Sequence, residues 1–244
     1  GAGQGMSAGH LPILQVAIPL IAAPLCVLMR RPGLAWAFTT LVSWALFAIS
    51  ILLLIRVLAD GTISYHLGGW APPFGIEYRL DAVNSFVLLV ITGIAAVVTP
   101  YARQSVAQEI AAPRHNLFYA LYLLALTGLL GITATGDAFN IYVFMEISSL
   151  ASYVLIALGP SRRARAAAFQ YLIMGTIGAT FLLIGIGLLY MMTGTLNLTD
   201  LSVRIHEVPD MRPIYAAFAF VTIGVLIKLA LFPLHIWLPN AYTY

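Results

Sequence analysis

The chain has 244 residues, 61% of them hydrophobic and only 9% charged, which is more apolar surface than a soluble domain of this size needs. A mean hydropathy of +0.95 with a formal charge of +3 does not suggest a nucleic-acid-binding protein and points to a polytopic helical membrane protein. Continuous rather than alternating apolar runs exclude a transmembrane barrel, and one cysteine, Cys26, excludes an internal disulfide or a self-contained metal–sulfur cluster.

In chain order, residues 1–5 precede Met6 and read as a tag scar, so they are set aside from the fold. No cleavable signal pattern follows, and the first apolar run is long enough to span. Helix-length windows give about seven spans, at 11–29, 34–58, 83–99, 117–135, 139–158, 169–192 and 215–238. Residues 6–110 carry the first three, with a long outer loop at 59–80 whose Gly-Gly, Pro-Pro and aromatics predict an ordered hairpin. Residues 111–244 carry the rest. Gly136-Asp137 predicts a tight turn between spans four and five, with Asp137 as a helix cap. Gly175, Gly178, Gly185 and Gly187 predict close helix contact along span six. Trp70, Trp237 and Tyr242 suit interfacial anchoring. The chain stops at Tyr244, just past a proline-broken helix and without a polar tail, so a truncated chain is expected.

Arginine placement orients the spans. Arg30, Arg31, Arg103, Arg114, Arg162, Arg163 and Arg165 follow the odd spans, while Arg56, Arg79, Arg204 and Arg212 lie on the side that also holds most acids. This puts the N-terminus outside and the end of this chain in the cytoplasm.

Two ionisable residues are expected far from any helix end: Glu146 in span five and Lys228, the sole lysine, in span seven. An ammonium in hydrocarbon costs roughly 2.5–3.5 kcal/mol on insertion scales, so it asks for a reason. Helical spacing puts Tyr142, Ser149 and Tyr153 on the face of Glu146, a polar stripe that must turn toward protein or water. Glu146 and Lys228 are then natural counter-charges. They are either a switchable pair that takes up and releases a proton or a fixed bridge that locks two helices; intramembrane ionisable groups favour the first. Pro233, five residues past Lys228, removes a backbone donor and displaces the carbonyl of Leu229, so it should break the helix. His235 beyond the break is a proton relay or a hydrogen-bonded interfacial histidine. Asp137 is a cap first and an ion-access residue second. His66 and His115 are expected in solvated loops. No Gly-rich loop, metal-spaced His/Cys cluster or nucleophile–base set is present, and five scattered histidines do not suit a haem, so no cofactor, metal or hydrolytic site is expected.

Four stretches are specific enough to suggest a family: YHLGGWAPPFGIEYRLDAVNSF at 65–86, TGDAFNIYVFMEISSLASYVLIALG at 135–159, YLIMGTIGATFLLIGIGLLYMMTGTLNLTDL at 171–201 and IKLALFPLHIWLPNAY at 227–242. They resemble the D subunit of Mrp-type multisubunit Na⁺/H⁺ antiporters and, more distantly, the antiporter-like proton-pumping subunits of complex I and of membrane-bound hydrogenases. The resemblance implies a bacterial plasma-membrane protein, other antiporter-complex subunits as partners, and protons with a monovalent cation, Na⁺ foremost, as cargo. It assigns the characteristic ion pair to Glu146 and Lys228 and the seventh-helix histidine to His235. It also implies a five-helix unit beginning at the fourth helix and then an inverted copy, of which this chain holds an incomplete first unit. Asn240 and Tyr242 stand where related chains often have Asp and His. The resulting expectation is an all-α membrane fold serving as a proton-translocating antiporter subunit. A proton-pumping subunit of a complex I-like or hydrogenase-type assembly, or a structural subunit without transport of its own, are the alternatives.

Overall fold

The computed structural model describes residues 9–29 and 31–243. The tag-like residues 1–5, Arg30 and the terminal Tyr244 lie outside the described residues. Six described helices are long and apolar enough to cross a membrane, and the molecule is a multi-pass membrane protein. They are α1 (Leu11–Leu28), α2 (Pro32–Asp60), α3 (Ala82–Glu109), α4 (His115–Ala134), α5 (Ala138–Ala157) and α6 (Arg162–Thr193). Each of three starts is set by a side-chain oxygen that takes up an otherwise unbonded helix N–H. Asp81 accepts from Asn84, Asp137 from Asn140 and Ser161 from Ala164, at 2.8–2.9 Å. Gly194, at φ +71, ends α6 in the left-handed conformation that a Cβ would strain.

The loop at 59–80 folds into the predicted hairpin, an antiparallel pair of β1 (Ile63–His66) and β2 (Glu77–Leu80). Tyr78 on β2 is buried against Phe144 of α5, and burial pushes its phenol up to about 12. His66 is exposed, whereas His115 is bonded to the Ile110 carbonyl at 2.8 Å rather than free in a loop.

The main core joins α1–α4 and β2 through residues such as Val16, Leu46, Leu88 and Leu123. The α4–α5 hairpin is close because Gly128 and Gly131 offer no side chain; a Cβ on Gly128 would lie 2.6 Å from the Phe144 carbonyl oxygen. After α6 come a short α7 (Leu198–Arg204), α8 (Arg212–Lys228) and α9 (Trp237–Thr243). Helices α6 and α8 meet backbone to backbone, since a Cβ on Gly224 would stand 2.7 Å from the Gly178 oxygen. A Cβ added to Gly187 would meet nothing within 4 Å, so this glycine is not needed for the seam.

The seventh predicted span is where the structure departs from the pattern. Helix α8 has 17 residues and stops at Lys228, so the lysine expected far from a helix end is the last residue of its helix. The break begins well before Pro233. Leu231 N–H bonds back to the Leu226 oxygen at 3.0 Å and Ala230 N–H to that of Ile227 at 3.1 Å, with Ala230 at φ +51. This is a Schellman closure, made here around an alanine rather than the usual glycine. Phe232, preceding a proline, is steered away from helical geometry, which helps to end the ladder early; the Phe232–Pro233 peptide is cis. Trp237, expected as an interfacial anchor, is 4% exposed, while Trp70 and Tyr242 are exposed.

Candidate functional site

Lys228 on α8 reaches across to α5. Its Nζ stands 2.8 Å from Glu146 Oε1 and 2.8 Å from Ser149 Oγ. The lysine side chain is 10% exposed and that of Glu146 is 21% exposed. The ammonium therefore has one charged and one neutral acceptor, and the carboxylate keeps some access to its surroundings. Ser149 is one turn beyond Glu146 on the same face, which is why one amine can meet both. Tyr153, a further turn along, is buried with its hydroxyl packed over Gly175. Tyr142, on the other side of Glu146, packs toward Leu182 and Ile186 of α6.

Ending α8 at Lys228 has an electrostatic consequence. The last turn of a helix leaves carbonyl groups without intrahelical donors, and their partial negative charge favours a cation. The ammonium is thus stabilised by its carboxylate and by the helix end that carries it.

His235 is not part of the pair. Its ring lies 5.4 Å from that of Phe232, and its buried Nδ1 has no partner among the described residues. Pro233 lies in the segment between α8 and α9 and touches neither charge through a polar group. Asp137 caps α5 and also lines a cavity of about 310 Å³ with Asn140, Tyr190 and Thr195. Burial raises its carboxyl above the usual carboxylate range, opposed by backbone N–H groups of Asn140 and Phe139. Glu146 lies nine residues further along α5, about 13 Å by helical rise.

Three residues that sequence reasoning did not single out hold this arrangement: Glu77, Asn197 and Ile227. Glu77 is 5% exposed; its carboxylate accepts from Ser64 and from Asn197 Nδ2 at 2.8 Å, and its carbonyl accepts from Gly136 N–H at 2.8 Å. The loop before α7 closes the other side, with Ala138 N–H to Leu196 and Leu198 N–H to Gly136 at 2.8 and 2.9 Å. The N-terminal end of α5 is therefore clamped from two directions. At the other end, the Trp237 indole N–H donates to the Ile227 oxygen at 2.9 Å. The signal for Glu77 was available in principle, as an acid in an apolar-flanked strand opposite the Gly136 turn. Nothing in the linear pattern pairs Trp237 with Ile227. No group of three or more metal-ligating side chains occurs among the described residues.

Residues 135–244 match the family described as NADH:quinone oxidoreductase/Mrp antiporter, transmembrane. The chain is 46% identical over 242 residues to a NADH-quinone oxidoreductase subunit N from Desulforudis audaxviator (strain MP104C), covering 96% of this chain and 47% of that protein. It is 34% identical over 231 residues to the D subunit of a Na(+)/H(+) antiporter from Bacillus subtilis (strain 168), covering 94% and 46%. Among solved structures, a chain of the membrane-bound sulfane sulfur reductase, an archaeal respiratory membrane complex, superposes with a TM-score of 0.87 at 30% identity, over 96% of this chain and 47% of that one. The chain spans about half the length of the curated relatives it matches. Residues 135–244 thus belong to the NADH:quinone oxidoreductase/Mrp antiporter transmembrane family, and the chain as a whole is similar to membrane subunits of Mrp antiporters and of complex I.

Proposed function

We propose that this chain is a proton-translocating part of a multisubunit monovalent cation/proton antiporter, with Glu146 and Lys228 as the proton-handling pair. The supporting observation is the 2.8 Å contact between a lysine at a helix break and a partly accessible carboxylate on a neighbouring helix. The flexible four-carbon stem of lysine lets the ammonium shift relative to the carboxylate while the helix end stays closed. Withdrawing or neutralising the carboxylate leaves the ammonium uncompensated and drives its proton off; returning it restores the charge. Ser149 shares the ammonium and is placed to hold it during exchange. His235 and Asp137 stand as access groups on opposite sides of the pair, toward the cytoplasm and the exterior in the orientation that the arginines favour. Partners in this reading are other membrane subunits of the complex, with Na⁺ the favoured cation, in a bacterial plasma membrane.

A second reading, a proton-pumping subunit of a complex I-like assembly, is favoured by the 46% identity to a protein called NADH-quinone oxidoreductase subunit N. The pair has the same task there, and co-purification with quinone-binding or iron–sulfur subunits separates the two. The test common to both is Glu146→Gln and Lys228→Ala in the whole complex, in sealed vesicles. Proton-coupled transport should fall to background while assembly is retained. Normal transport by both variants rejects the role of the pair, and loss of assembly instead supports a scaffolding role.

A further inference from the structure

The segment after the α8 break returns to the helix it left. Trp237 sits nine residues past Lys228, yet its indole N–H bonds to the oxygen of Ile227, the residue just before the lysine. The indole is stacked on Tyr171 of α6, with ring centres 4.0 Å apart and planes 4° apart. Tyr171 meets the edge of Tyr153 of α5 at 4.5 Å and 81°. Tyr153 in turn is fixed by Gly175, where an added Cβ would lie 1.8 Å from its hydroxyl oxygen. One turn back along α5 from Tyr153 is Ser149, which accepts from Lys228. The contacts close a circuit through four helices: Lys228, Ser149, Tyr153, Tyr171, Trp237, Ile227 and back to Lys228.

The circuit has a mechanical meaning. Beyond Lys228 the backbone leaves the α-helical ladder, so the last turn of α8 lacks the continuing turns that would hold it. The indole bond supplies a restraint from the far side of the break, and the aromatic stack anchors that restraint on two other helices. Aromatic pairs at these separations prefer defined offset or edge geometries, so the anchor is directional. We infer that Trp237 and Tyr171 are positioning residues for Lys228, holding the last turn of α8 so that the ammonium meets Glu146 and Ser149. In terms of transport this deepens the proposed role of the pair. As a statement about where Lys228 points, it stands independently.

Lys228 is the only lysine of the chain, so its reactivity can be read directly. The assembled complex, in membranes and after purification, is treated with a small amine-acylating reagent at one alkaline pH, and the Lys228 peptide is followed by mass spectrometry. Trp237→Phe keeps an aromatic ring for the stack and removes the N–H. It should raise the Lys228 acylation rate about five- to tenfold, the scale of one lost hydrogen bond. Tyr171→Leu, which removes the stack but not the indole, should act in the same direction, and it decides the matter should Trp237→Phe not assemble. Tyr171→Phe, which keeps the stack, should stay at the wild-type rate. A wild-type rate in both Trp237→Phe and Tyr171→Leu overturns the inference, as does lowered thermal stability with unchanged Lys228 reactivity. Normal transport in the Glu146 and Lys228 variants would overturn the proton-handling role without touching this result.

Discussion

Gln15, Ser50 and Thr92 in α1–α3, and Glu146, Ser149 and Lys228 in α5 and α8, are both polar clusters inside apolar helices, built under opposite constraints. The first is neutral and fully buried. Gln15 Nε2 donates to Ser50 Oγ at 2.6 Å, and Thr92 Oγ1 stands 3.0 Å from the same oxygen. Its members lie within α1, α2 and α3 rather than at a helix end, and Thr92 also returns a bond to its own helix at Leu88. The second is charged and partly accessible, and lies where a helix stops. A neutral cluster can be sealed, because losing a partner there leaves an unsatisfied polar group, at about 1–3 kcal/mol, and no uncompensated charge. A charged pair cannot be broken cheaply, because removing one partner strands the other charge. Under the proposed function the N-terminal cluster serves helix packing and the C-terminal pair handles protons.

Substitutions in the two clusters put that assignment at risk. Lys228→Met strands Glu146 and should destabilise the complex by about 3–5 kcal/mol at neutral pH, and Lys228→Met with Glu146→Leu should recover most of that loss. Denaturation midpoints of the two variants in detergent decide it; equal losses would mean the pair is not coupled. Ala230→Gly should stabilise by about 1 kcal/mol, since Ala230 sits at φ +51 where glycine has no Cβ to strain. A destabilised Ala230→Gly, read in the same melts, would show that the closure at Lys228 does not govern this helix end. Gln15→Leu should change stability by no more than about 1 kcal/mol and leave proton-coupled transport at the wild-type level. Gln15 Oε1 has no partner among the described residues, and its removal strands no charge. A large loss of transport in Gln15→Leu would erase the distinction between the clusters.

Much of the architecture was legible in the linear chain. Apolar runs of helix length leave few alternatives in hydrocarbon, so α1–α6 follow from hydropathy, and Asp81, Asp137 and Ser161 mark their starts because short polar side chains cap helices. The identities of Glu146 and Lys228 as counter-charges were legible too, since each is an isolated ionisable group in an apolar run. The position of the break was not. Pro233 announces a disruption, but the ladder ends five residues earlier, because the chain closes around Ala230 and the Trp237 indole takes up the Ile227 carbonyl. The clamp of Glu77 and Asn197 on the Gly136 turn was equally hidden, for it joins residues 120 positions apart. The linear chain dictates which segments are helices and which two charges must meet, because burial of backbone and of charge is costly wherever the segment lies. Where α8 ends and how Lys228 is aimed are set only once the helices pack, because both depend on hydrogen bonds and ring contacts between residues that no local periodicity relates.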